Sequence, residues 1–61
     1  MPIIRVAMLE GRSREQKARL AKSITDAFVE IAKAPPEQVM VVFSEHTKEN
    51  WAIGGKLLSE S

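Results

Sequence analysis

Two short apolar runs, held apart by one capped helix length and a double proline, constrain the fold of this chain more than any other feature. The first run, Pro2 to Leu9, puts Ile4, Val6 and Met8 on one face of a strand and Ile3, Arg5, Ala7 and Leu9 on the other. Both faces are largely apolar, so both are expected to be covered. Glu10-Gly11-Arg12 breaks the strand, and Ser13 opens a helix with Gln16 three residues on, the spacing of a capping box. Leu20, Ile24, Ala27, Phe28 and Ile31 then recur at helical spacing, with Lys17, Arg19, Lys22, Asp26 and Glu30 mostly off that stripe. Pro35-Pro36 cannot continue a helix, and Pro35 disfavours helical geometry at Ala34, so the helix should end near Lys33. Val39 to Phe43 forms the second strand. The class is α+β: a βαβ unit with parallel strands and a right-handed crossover. His46 to Asn50 reads as a polar loop, and Trp51-Ala52-Ile53 ahead of Gly54-Gly55 predicts a short C-terminal strand or hairpin segment.

Such a unit is one domain, residues 1–61, and a small one. A chain of this length buries only about 60% of the surface its unfolded form exposes. The usual staples are missing: there is no cysteine, and His46 is the only histidine, which leaves neither disulfides nor an ordinary zinc site. One helix covers one face of two strands and leaves two open edges. Self-association into a closed, symmetric oligomer is the expected remedy.

Nine Lys and Arg against eight Asp and Glu give a net charge of +1, and the charges are interleaved, as in Arg14-Glu15-Gln16-Lys17. That pattern is a solvated surface and argues against nucleic acid as a partner. No apolar stretch approaches a membrane span or a signal-peptide core, so no membrane partner and a cytoplasmic location are expected.

The familiar catalytic sets are absent. A lone histidine without a cysteine builds no triad, and Gly54-Gly55 is too little for a phosphate loop. Pro2 offers a less common device. Initiator methionine is normally trimmed before a small residue, and trimming frees a secondary amine. An α-amino group titrates at about 7.7–8.0, and apolar surroundings or a nearby cation lower it further. A base poised near working pH is an efficient one. The plainer reading of Pro2 is a residue that merely leads a strand.

Pro2 and its strand, Leu9-Glu10-Gly11-Arg12-Ser13, Glu15-Gln16-Lys17, and Trp51-Ala52-Ile53-Gly54-Gly55-Lys56, taken in this order, resemble the 4-oxalocrotonate tautomerase family over nearly the whole chain. The resemblance implies a βαβ subunit, commonly assembled as a hexamer, that works without a metal or organic cofactor on small keto and enol acids. It implies that Pro2 is the catalytic acid–base, that Arg12 holds a substrate carboxylate, and that Trp51 stands where an aromatic residue walls the pocket. At one position the chain departs. Well-known family members carry a second arginine in the second strand, and this chain has Met40 there. Methionine brings no charge and no hydrogen-bond donor. A hydratase-type or dehalogenase-type relative, or an assembly module that kept the fold without the chemistry, are the alternative readings. Apart from the family, Arg12 reads as a solvated arginine, Trp51 as interface packing, Met8 and Met40 as filler, and His46 as a solvent-facing loop residue.

Overall fold

The capping box at Ser13 sets the first boundary of the helix. In the computed structural model, which describes residues 1–60, the Ser13 hydroxyl accepts from the Gln16 backbone N–H at 3.1 Å and the Gln16 side chain accepts from the Ser13 N–H at 2.9 Å. Two backbone donors that a helix start leaves orphaned are thereby satisfied. Helix α1 runs Arg14–Ala32 and closes on Lys33, whose φ of 59° lies in the left-handed region. The double proline begins two residues on, at Pro35.

Strand β1 is Ile3–Leu9 and strand β2 is Met40–His46. They pair in parallel, Ile3 opposite Met40 through Leu9 opposite His46. The ladder extends past both ends: Met40 N–H donates to the Pro2 carbonyl at 2.9 Å, and Glu10 N–H donates to the His46 carbonyl at 2.9 Å. The second strand therefore reaches His46, three residues beyond the apolar run that announces it. Ser44 and Glu45 are polar but remain in the ladder because β1 is long enough to pair with them.

The polar segment after β2 is a single tight turn, Lys48–Asn50. Strands β3 (Ala52–Ile53) and β4 (Lys56–Leu57) form an antiparallel hairpin. Its two-residue turn needs φ above zero at both positions, and Gly54 at 61° and Gly55 at 83° supply it.

Ile4, Val6 and Met8 of β1, with Val41 and Phe43 of β2, are half-buried, whereas Ile3, Arg5 and Ala7, with Met40, Val42 and Ser44, are exposed. One face of the sheet is thus covered and the other is open. The helix stripe also divides. Ile24 and Phe28 are half-buried, while Leu20 is 42% and Ile31 80% exposed. Among the described residues none is fully buried. The chain exposes 4885 Å², against roughly 4000 Å² expected for a monomeric protein of this mass. Its radius of gyration is 14.6 Å, against roughly 10.5 Å for a compact chain of this length. The expectation that both sheet faces are covered is therefore not met within one chain. Among the described residues no helix is long and apolar enough to cross a membrane.

Candidate active site

The C-terminal half of β1, the first turns of α1 and the hairpin enclose a cleft of about 480 Å³. Val6, Met8 and Leu9 come from the strand, Gln16, Lys17 and Leu20 from the helix, and Trp51, Ile53 and Leu58 from the chain's end. Arg12 stands on the break between strand and helix and lines the same cleft. A guanidinium beside apolar walls suits a small organic acid: the cation pairs with the carboxylate and the walls take the carbon skeleton.

Two of the three residues singled out from the sequence, Arg12 and Trp51, are thus brought together. Pro2 is not with them. It precedes β1, and seven residues of strand at about 3.3 Å each put it roughly 23 Å from Leu9. The register instead places Pro2 next to Met40, through the backbone hydrogen bond of 2.9 Å. Met1 is 78% exposed.

By its charge Lys17 lies off the apolar stripe of the helix. In the fold it turns toward β2 and pairs with Glu45, Nζ to Oε1 at 2.7 Å, with both side chains about one-third exposed (27% and 33%). It is a second cation on the cleft, offset by its own carboxylate. Only the packing of the helix on β2 reveals this, since Lys17 and Glu45 lie 28 residues apart.

His46 corrects the sequence reading more sharply. It is not a solvent-facing loop residue. It ends β2, is half-buried, and meets Trp51 edge to face, with ring centroids 5.8 Å apart and planes at 68°. It lines a second cleft of about 440 Å³ that Arg12 also borders, together with Glu10, Lys48 and Glu49. The one signal available in the sequence was its spacing of five residues from Trp51, which acquires meaning only with the turn between them.

Comparison with known proteins places this geometry in a family. The family model described as tautomerase enzyme matches residues 2–61. A probable tautomerase of Bacillus cereus is 47% identical over 60 residues, spanning 98% of each chain. The 2-hydroxymuconate tautomerase of Bacillus subtilis is 42% identical over 60 residues, spanning 98% of this chain and 97% of that one. Among solved structures, a heterohexamer 4-oxalocrotonate tautomerase from Chloroflexus aurantiacus superposes with a TM-score of 0.90 at 37% identity, covering 98% of this chain and 97% of that one. With the βαβ fold shared over its full length and relatives of this identity, the chain belongs to the tautomerase family and is an enzyme of the isomerase class.

Proposed function

We propose that this chain catalyses keto–enol proton transfer on 2-hydroxy-dienoates or related enols of 2-keto acids, with the Pro2 nitrogen as acid–base once Met1 is removed. The observation that carries the reading is the cleft that Arg12 and Trp51 line together with apolar side chains. Arg12 binds the substrate carboxylate, and its fork of donors fixes the substrate's orientation. Trp51, Ile53 and Leu58 wall the carbon chain and keep water away. The Pro2 nitrogen accepts the enol hydroxyl proton as the carbonyl forms. The resulting ammonium delivers a proton to carbon 3 or carbon 5, which regenerates the base. The net change is a 1,3- or 1,5-shift of one proton, with no redox change. Apolar surroundings favour the neutral amine.

The separation of Pro2 from Arg12 supports a site shared between subunits. A strand of seven residues stands between them, so the Pro2 of one subunit meets Arg12 and Trp51 of another. The open sheet face and the exposed Leu20 and Ile31 supply the surface for that assembly. The chain exposes about 900 Å² more than a compact monomer of this mass, enough surface for at least one stable interface. A homohexamer of a cytoplasmic, single-domain subunit is the arrangement we favour. It is consistent with the hexameric assembly of the Chloroflexus aurantiacus relative.

The test joins mass spectrometry to kinetics. The purified chain should begin at Pro2 and ketonise 2-hydroxymuconate or enol-phenylpyruvate. Full activity from chains that retain Met1 would overturn the proline mechanism.

A further inference from the structure

We propose that His46 is a positioning residue for this site, bracing the Trp51 indole as the wall of the substrate cleft; the proposal rests on the reading of Trp51 given above. The two rings meet edge to face at 5.8 Å and 68°, an arrangement in which the positive edge of one aromatic ring meets the negative face of the other. Each ring is carried on backbone that is itself fixed. The His46 carbonyl accepts from Glu10 N–H at 2.9 Å, which ties the end of β2 to the end of β1. The Trp51 carbonyl accepts from Leu58 N–H at 2.9 Å, which ties it to the hairpin. The four residues between them are closed by Asn50, whose N–H donates to the Thr47 carbonyl at 3.0 Å and whose side chain donates to the Thr47 hydroxyl at 3.0 Å. Turn and ladder thus set the two ring-bearing positions, and the ring contact sets the indole rotamer.

The placement gives the contact a role in binding. Trp51 faces the cleft that holds Arg12, and His46 faces the second cleft, which Arg12 also borders. The imidazole therefore stands on the side of the indole away from the apolar walls. Without it the indole has no aromatic support on that side, and it can swing toward the polar cleft and admit water to the apolar one. His46 touches no substrate in this scheme and acts through Trp51.

Trp51 is the only tryptophan of the chain, so its emission reports this contact directly. His46→Ala should shift the emission to the red, increase quenching by acrylamide, and raise KM about two- to tenfold, the scale of an aromatic pair, with kcat nearly unchanged. His46→Phe, which keeps an aromatic ring, should restore both spectrum and KM, whereas His46→Leu, which fills space without a ring, should not. Sedimentation of each variant as the wild-type oligomer controls for folding. An unchanged spectrum and quenching in both His46→Ala and His46→Leu would overturn the proposal and leave the catalytic reading intact. A changed spectrum with unchanged KM would also overturn it. If Trp51→Ala then leaves KM unchanged as well, the assignment of Trp51 to the pocket has failed, and not the ring contact.

Discussion

The backbone N–H of Met40 donates to the carbonyl of Pro2 at 2.9 Å, which puts side-chain position 40 beside the residue proposed as the base. Met40 is 44% exposed, on the open face of the sheet. With Pro2 as the proposed base, a substrate reaching it would find Met40 nearby, at the position where the family resemblance implies an arginine.

This neighbour is expected to set the specificity. A second substrate carboxylate near Met40 would lose water and gain no cation, a costly exchange. Monocarboxylic enols such as enol-phenylpyruvate should therefore be served nearly as well as the diacid 2-hydroxymuconate. Met40→Arg should raise kcat/KM on the diacid selectively. A hydrogen bond to a charged group is worth roughly 1.5–3 kcal/mol, or about ten- to a hundredfold in rate if it is made in the transition state. Arg12→Ala should lower kcat/KM on both. A wild-type enzyme that strongly prefers the diacid, with no response to Met40→Arg, would mean that another residue supplies the cation.

The base predicts a pH profile. Activity should rise with pH as the Pro2 ammonium loses its proton, because only the neutral amine can accept the enol proton. Pro2→Ala leaves a primary amine and should retain part of the activity. Alkylating the nitrogen should abolish it, and an alkylated enzyme at full rate would refute the mechanism.

A shared site predicts complementation. Chains with alkylated Pro2 should be inactive alone, and chains carrying Arg12→Ala strongly impaired. Unfolded together in equal amounts and refolded, they should recover about a quarter of wild-type activity, since random assembly of two-chain sites unites both intact residues in that fraction. Sites built within one chain would recover none. Sedimentation equilibrium should show a species well above 6.8 kDa and no folded monomer at ordinary concentrations.

The helix ends predict opposite shifts in stability. Ser13→Ala removes one arm of the capping box and should cost about 1 kcal/mol. Lys33→Gly relieves a side chain held at a φ of 59° and should stabilise by about 0.5–1 kcal/mol, the gain being offset in part by the freer unfolded chain. Urea denaturation at one fixed chain concentration measures both, since the proposed assembly would make stability depend on concentration.

Local rules along the chain fix the elements and the order of the candidate residues. Ser13 and Gln16 mark the helix start, Pro35-Pro36 its end, and the alternation from Ile3 to Leu9 the two faces of β1, because capping, proline sterics and strand periodicity act over a few residues. Pro2, Arg12 and Trp51 were legible as candidates from their motifs. Which of them come together depends on how the elements pair and pack. The strand length puts Pro2 at the far end of β1 from Arg12, the register puts Met40 beside Pro2, and the helix packing turns Lys17 onto Glu45. The turn from Thr47 to Asn50 brings the His46 ring onto Trp51. These are contacts between elements, fixed by pairing register and packing angle, and no local periodicity encodes them.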